Sequence, residues 1–143
     1  MSPSAAHPDW STDPANGFEA AMRRREVWPN LRWDRLAQVL APGEQVLLAL
    51  PALADDVGPR AMLVTPARVL IAHLAGLRML AKAAREAPAD RVRAVSFGGG
   101  LISPVRVEIQ GARNITMQAN RREDAASFTR EFDHLIHTGR LPG

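Results

Sequence analysis

The side chains that could carry metal chemistry are few in this 143-residue sequence. There is no cysteine, which excludes structural disulfides, thiolate metal sites and cysteine nucleophiles. His134 and His137 have a spacing that can place two imidazoles of one helix on a metal ion, with Asp133 beside them. No third ligand is evident, and histidines at the end of a helix also interact favourably with its dipole. We therefore expect no metal ion, and no motif implies a cofactor.

Motifs for covalent, acid–base or phosphate chemistry are also missing. No Ser-His-Asp set stands at a recognisable nucleophile turn, and no paired carboxylates stand in a motif, since Asp55-Asp56 is weakly indicative at most. Gly98-Gly99-Gly100 lacks the lysine and the strand–turn–helix context of a phosphate-binding loop, so a flexible turn is predicted there. The sequence predicts a protein that is not an enzyme.

Arginine supplies nearly all of the positive charge. The net charge is +3, and Lys82 is the only lysine. Guanidinium groups can bind phosphates or carboxylates through two hydrogen bonds. Solvated surface charge is the favoured interpretation, and without tyrosine the sequence lacks the aromatic platforms typical of single-stranded nucleic-acid binding. The candidate anion-binding residues are Arg23, Arg24, Arg25, Arg121 and Arg122, with Arg91, Arg93 and Arg106 as further basic positions on strands.

Large apolar side chains are concentrated near the N-terminus, within what we predict to be helices. We divide the chain into a disordered leader at residues 1–13, a helical extension at residues 14–41 and a main domain at residues 42–143. The extension has Asp13-Pro14 as its helix start, and Pro29 divides it. Its apolar residues either pack across the main domain or form an exposed surface for a partner or a second copy. The candidate partner-binding residues are Phe18, Met22, Trp28, Trp33 and Leu36.

The main domain has the periodicity of a β protein. Seven apolar segments are predicted as strands, at residues 45–53, 60–65, 68–74, 77–83, 91–97, 105–109 and from 115 onwards. Residues 77–84 also have good helix propensity, so both strand and helix stay open there. The alternation slips between Val92 and Val95, which predicts a bulge or an entry from a loop into the strand. Matching apolar faces pairs Ile109 with Ile115 and Val107 with Met117, with a loop at residues 111–113.

A C-terminal amphipathic helix ends the domain. Asn120 with Glu123 predicts a capping box at its start. Thr138-Gly139 predicts its end. One helical face is apolar and should be buried, with Ala125, Phe128, Phe132, Leu135 and Ile136.

Three short motifs, in order, resemble those of the bacterial pleckstrin-homology-like (PH-like) domain family. They are Leu40–Val46, with Gly43-Glu44 before the first strand; Leu63–Ile71, with Thr65 and Arg68 in a hairpin; and Asp90–Val95. The hairpin departs from the family pattern because Pro66 replaces the usual acidic residue. The resemblance implies a mostly β (α+β) fold, a seven-stranded barrel capped by the C-terminal helix. The basic loop of phosphoinositide-binding relatives is absent, because residues 55–60 are acidic with one arginine.

The expected function is therefore that of a non-catalytic PH-like binding or adaptor module, which mediates protein–protein interaction or self-association. The alternative is a peripheral membrane or polyanion binder that uses the arginine clusters on anionic lipid or nucleic acid, with nucleic acid disfavoured. The N-terminal residues contain no apolar run that could act as a signal peptide, and no apolar stretch is long enough to span a bilayer. We expect a cytoplasmic protein, with association at the inner membrane face in the alternative.

Overall fold

The structure, a computed structural model, describes residues 37–54, 58–75, 80–98, 104–119 and 121–140. Short 3-10 turns occupy Ala37–Val39 and Ala89–Arg91. The regular elements are β1 (Leu48–Ala54), β2 (Gly58–Val64), β3 (Arg68–Ala75), β4 (Leu80–Pro88), β5 (Val92–Phe97), β6 (Pro104–Ile109), β7 (Ile115–Gln118) and α1 (Arg122–Thr138).

The strands form two antiparallel sheets, in the orders β1-β2-β3-β4 and β5-β6-β7. This confirms the mostly β class and the single C-terminal helix of the described chain. Across the described ranges no strand of one sheet pairs with a strand of the other, so the sheets do not close into one hydrogen-bonded barrel. The 3-10 turn at Ala89–Arg91 connects the sheets, and the Ala89 N–H donates to the carbonyl of Ala67 at 2.9 Å.

The strand boundaries answer the question left open for the fourth segment. Residues 80–88 form β4, which pairs along its whole length with β3, so the strand alternative is correct for the described part of that segment. The partners supplied by β3 outweigh the helix propensity of its alanines. Of the two alternatives for the fifth segment, the bulge is confirmed, because the register between β5 and β6 shifts between Val92 and Ala94. The first strand begins at Leu48, three residues later than predicted.

The predicted register of the β6–β7 hairpin is wrong by two residues. Val107 pairs with Ile115 and Val105 pairs with Met117, whereas Ile109 pairs with Val92 on β5. Side-chain alternation has a period of two, so any even shift keeps the same residues on the buried face. The predicted faces are therefore correct while the loop is wider than predicted, with Gly111 at a φ of 79° in its turn.

Both sheets and the helix enclose one hydrophobic core. The inner faces of the two sheets meet there, and the predicted apolar face of α1 fills the space between them. Phe128 and Phe132 are fully buried, and their rings pack edge to face at a centroid distance of 5.8 Å. Ala125 and Leu135 are also fully buried, and Ile136 packs at the margin, as the helical spacing predicts.

The ends of α1 agree only in part with the prediction. Gly139 ends the helix as predicted, with a φ of 76° and its N–H donating to the carbonyl of Leu135 at 2.8 Å. The predicted capping box is wrong, because the N-cap residue is Arg121 and its side chain makes no capping hydrogen bond. Sequence spacing alone did not reveal where the chain leaves its extended conformation. In the described part of the chain, no helix is both long and apolar enough to cross a bilayer.

The two sheets differ in what their second faces carry. On β6 and β7, buried residues alternate strictly with exposed polar ones such as Arg106, Glu108 and Thr116. The four-stranded sheet has a second cluster of buried apolar residues on the face away from the core. We call this the outer face, and it consists of Val46, Ala49, Ala61, Leu63, Leu70, Ala72 and Leu74.

Candidate functional site

A polar cluster lies at one end of the outer face and is centred on Arg68, the first residue of β3. Its Nε donates to Glu44 Oε2 and its Nη2 donates to Glu44 Oε1, both at 2.9 Å. This is the two-bond geometry in which a guanidinium binds a carboxylate most strongly. The Glu44 side chain is only 6% exposed and that of Arg68 is 21% exposed, so the pair is largely shielded from water.

Two further groups complete this cluster. Thr65 donates its hydroxyl proton to Glu44 Oε2 at 2.8 Å, and the backbone N–H groups of Ala67 and Arg68 donate to the same hydroxyl oxygen. Arg68 Nη1 contacts Glu86 Oε2 of β4 at 2.5 Å. The name Arg68 cluster is used below for Glu44, Thr65, Arg68 and Glu86.

The electrostatics of the pair follow from this geometry. Burial opposes ionisation of Glu44, but the hydrogen bonds from Arg68, the Ala41 N–H and Thr65, together with the charge of Arg68, outweigh it and lower the pKa of the carboxyl. The hydrogen bond to Glu44 raises the pKa of Arg68 against the opposing effect of burial, and Glu86 adds to the increase. Both groups are therefore charged across the physiological range.

The Arg68 cluster also fixes the chain that precedes the first strand. Arg68 Nη2 donates to the carbonyl of Val39 at 2.9 Å, and the Ala41 N–H donates to Glu44 Oε1 at 2.9 Å. Val39 and Leu40 are thereby held against the outer face, where both are partly buried. The chain at residues 39–41 is consequently held on the outer-face side of the sheet.

The sequence indicated some of this cluster and missed the rest. Glu44, Thr65 and Arg68 all belong to the motifs quoted for the PH-like resemblance, and the Thr65 hydroxyl accepts hydrogen bonds from two backbone N–H groups of the hairpin. The ion pair between Glu44 and Arg68 and the contribution of Glu86 were not predicted. Each of the three strands or turns involved had been assigned, but side-chain contacts between them depend on the register of β3 against β4.

Side chains of different size lie in separate rows on the outer face. Cross-strand partners place Pro51, Ala61, Ala72 and Ala83 in one row across all four strands. The neighbouring row contains Ala49, Leu63 and Leu70, and ends at Glu86 of the Arg68 cluster. The first row has mostly alanine side chains beside the larger leucines of the second, and we call this first row the trough. Six of the seven outer-face residues are completely buried, and Leu74 is 4% exposed.

The two histidines whose spacing would suit a metal ion line a surface cleft of about 390 Å³, together with Arg130, Asp133 and Thr138. His134 donates from Nδ1 to the carbonyl of Arg140 at 2.9 Å, and His137 Nδ1 contacts the Asp133 carbonyl at 2.9 Å. Each ring thus makes a local contact at the end of α1. No group of three or more metal-ligating side chains occurs in the described ranges.

Four arginines gather around the turn between β6 and β7. Arg85 donates from Nη2 to the carbonyl of Arg113 at 3.1 Å, and Arg93 donates to the side-chain oxygen of Gln110. Arg91 Nη1 lies 3.7 Å from the position that a Cβ atom would take on Gly111. Within the residues that the structure describes, none of the four forms an ion pair, and we call this group the four-arginine patch: Arg85, Arg91, Arg93 and Arg113.

The other predicted basic positions do not join this patch in the described structure. Arg121 Nε lies 3.7 Å from Glu123 Oε2 at the start of α1, and the neighbouring Arg122 is exposed. Arg106 lies on the exposed face of β6 and borders a small hollow of about 150 Å³ with Ser96, Phe97, Gly98 and Pro104. Arg23, Arg24 and Arg25 lie outside the described residues.

Several other predictions also fall outside the described residues. They include the leader, most of the helical extension, the Asp55-Asp56 pair, and the candidate partner-binding residues Phe18, Met22, Trp28, Trp33 and Leu36. At the end of the extension, residues 37–39 form a 3-10 turn and not a full turn of α-helix.

Comparisons with known proteins give no further assignment, because no protein-family model, no curated protein and no solved structure matches the chain.

Proposed function

We propose that the chain is a non-catalytic, PH-like binding or adaptor module that mediates protein–protein interaction or self-association. The family part of the proposal is supported by the element order: a four-stranded antiparallel sheet, a three-stranded antiparallel sheet and a C-terminal helix around one core. It is further supported by the contacts of Glu44, Thr65 and Arg68, since residues from two of the quoted motifs bind one another.

The observation that carries the binding role is the outer face of the four-stranded sheet. A domain of this size needs one core, and here the inner face, the second sheet and α1 already enclose it. A second apolar face of seven residues serves no purpose in that core. Because six of its seven residues are completely inaccessible to water, this second face must be covered by an occupant of its own. Its trough of small side chains suits an amphipathic helix, one of the recurring modes of peptide recognition.

Light scattering coupled to size-exclusion chromatography tests self-association over a hundredfold range of protein concentration. We expect the dimer fraction to rise with concentration and to be unaffected by added NaCl, since apolar contacts are not screened. Replacing Trp28→Ala and Trp33→Ala together should remove the dimer, and Trp10→Ala is the matched control. A chain that is monomeric at every concentration contradicts self-association. Loss of the dimer in Arg23→Gln, Arg24→Gln, Arg25→Gln, but not in the tryptophan variant, contradicts the apolar mechanism.

A second candidate function is favoured by the four-arginine patch. Four guanidinium groups around one turn, without ion pairs in the described ranges, form a local positive surface that can attract phosphate groups. We propose this surface as the site of the alternative function, binding of an anionic membrane surface or another polyanion.

Sedimentation with vesicles tests this alternative. Binding to phosphatidylserine vesicles should fall steeply as salt rises, and Arg91→Gln with Arg113→Gln should remove most of it. The matched control is Arg130→Gln, an exposed arginine on α1. Equal binding of neutral and anionic vesicles, or no effect of the paired substitution, contradicts a role for the patch.

A further inference from the structure

We propose that the occupant of the outer face is the chain's own N-terminal extension, residues 14–36, docked within the same molecule. This inference rests on the proposed function, because it names what lies on the face to which that function assigns binding. It is carried by the burial of the face, the direction of the chain at residues 37–40, and the composition of the extension.

The burial of the outer face has to be explained within a single chain. Val46, Ala49, Ala61, Leu63, Leu70 and Ala72 are completely inaccessible to water in the isolated molecule. Among the described residues, only Val39 and Leu40 are partly buried hydrophobics packed against this cluster. Two side chains at one end are too few to exclude water from three strands.

Residues 37–40 meet the outer face at its rim. The carbonyl of Val39 accepts a hydrogen bond from Arg68, whose side chain lies on the outer face beside the apolar rows. The 3-10 turn at Ala37–Val39 also packs near β4, the far edge strand of the same sheet. Residues 37–40 are therefore held at the rim of the face, next to the Arg68 cluster.

The extension has the length and composition to complete the cover. Helical residues rise about 1.5 Å each, so residues 14–36 can reach roughly 34 Å even before the break at Pro29 is considered. Four neighbouring strands at about 4.8 Å spacing are roughly 14 Å across. The large side chains of the extension, among them Trp28, Trp33 and Leu36, complement a trough lined by alanines.

Covalent attachment favours docking within one molecule over docking between two. A segment tethered at the rim of its site has an effective concentration far above that of a second protein copy in dilute solution. At high protein concentration the same contact can be exchanged between two copies, which is the usual route to a swapped dimer. A partner protein that uses the outer face would have to displace the extension first.

Tryptophan fluorescence can test this docking without a label, because all three tryptophans, Trp10, Trp28 and Trp33, precede the described residues. In a full-length Trp10→Phe chain, only the two tryptophans of the extension emit. We expect a blue-shifted emission and acrylamide quenching severalfold slower than that of a free tryptophan derivative, at all concentrations where the protein is monomeric. Ala61→Glu, which puts a charge into the centre of the trough, should reverse both effects. Thr116→Glu on the exposed face of the three-stranded sheet is the matched control.

The outcomes separate this inference from the proposed function. Tryptophans that are solvent-exposed at every concentration overturn the docking. Protection that appears only together with dimers overturns docking within the molecule but supports self-association. Protection in a strict monomer supports the docking and contradicts self-association. Protection that Ala61→Glu leaves unchanged, while circular dichroism shows a folded domain, overturns the outer face as the site. If Ala61→Glu does not fold, the milder Ala72→Ser makes the same comparison.

Discussion

Glu44 and Arg68 are 24 residues apart in the sequence, and their ion pair joins the chain before β1 to the start of β3. Thr65 binds the same carboxylate and also closes the β2–β3 hairpin through two backbone N–H groups. Each of these residues thus serves both the local turn and a long-range contact. The hydrogen bond from Arg68 to Val39 extends the cluster to the segment that leads toward the outer face.

Removing the charge of Glu44 should therefore destabilise the domain. In Glu44→Gln the Arg68 guanidinium keeps its burial but loses its bidentate partner, and we expect a loss of about 2 kcal/mol in the free energy of unfolding. Urea denaturation measures it. Glu86→Gln is the matched control, because Glu86 is 53% exposed and its pair with Arg68 should be worth less than about 1 kcal/mol. Equal effects from the two substitutions would show that the buried pair has no special role.

The contribution of Glu44 should also depend on pH. Its pKa is lower in the folded protein than the ordinary value of 4.5, so the folded state favours the ionised carboxyl. The stabilisation is fully present above pH 4.5 and is lost as the pH falls through the folded-state pKa. The stability difference between the parent and Glu44→Gln should consequently shrink in acid. Denaturation curves at neutral pH and at successively lower pH measure this, and a difference that grows in acid would contradict the assignment.

At the scale of elements, the helix α1 depends on how it ends. Gly139 has a φ of 76°, a conformation that costs little for glycine and more for residues with a Cβ atom. We expect Gly139→Ala to lower the stability of the domain by about 1 kcal/mol, since the hydrogen bond to Leu135 closes the last turn. Thermal unfolding followed by circular dichroism measures it, with Arg140→Ala as the control. A neutral effect at Gly139 would mean that the C-terminal turn frays without consequence for the core.

The spacing of apolar residues along strands and helices explains which sequence predictions were correct. On β6, β7 and α1 the buried residues lie on one face of each element. The alternation of Val105, Val107 and Ile115 therefore predicted the core correctly. The helical spacing of Phe128 and Phe132 did the same for α1. The same alternation cannot distinguish registers that differ by two residues, which is why the β6–β7 pairing was wrong. The fourth segment was ambiguous because its apolar residues also have good helix propensity, and only pairing with β3 decides it.

The contacts of the candidate sites were much less predictable. The motif residues around Glu44 and Arg68 could be named, but their ion pair depends on how a turn, a hairpin and β4 come together. The four-arginine patch likewise joins β4, the connection to β5 and the β6–β7 turn. Only Arg91 and Arg93 of that patch had been singled out, because sequence spacing does not show which distant strands share an edge.

At the scale of the whole molecule, the two sheets have different roles. The three-stranded sheet presents polar side chains to solvent, as a sheet that closes one core should. In the four-stranded sheet, β1, β2 and β3 are apolar on both faces, and these three strands accordingly have nearly continuous apolar sequences. One face belongs to the core with α1, and the other is the face that we propose as the interaction surface, on which the docking of residues 14–36 also depends.

The most direct test of this interaction surface uses a label placed on it. The chain has no cysteine, so a full-length Ala83→Cys variant takes a single bimane, whose fluorescence a tryptophan quenches on contact. Ala83 is exposed and lies in the row of Ala61 and Ala72, at the edge of the outer face. We predict strong quenching that disappears in Trp28→Phe with Trp33→Phe and is absent for a label at Thr116→Cys. An unquenched label at position 83, or quenching that survives removal of both tryptophans, would contradict an outer face occupied by the N-terminal extension.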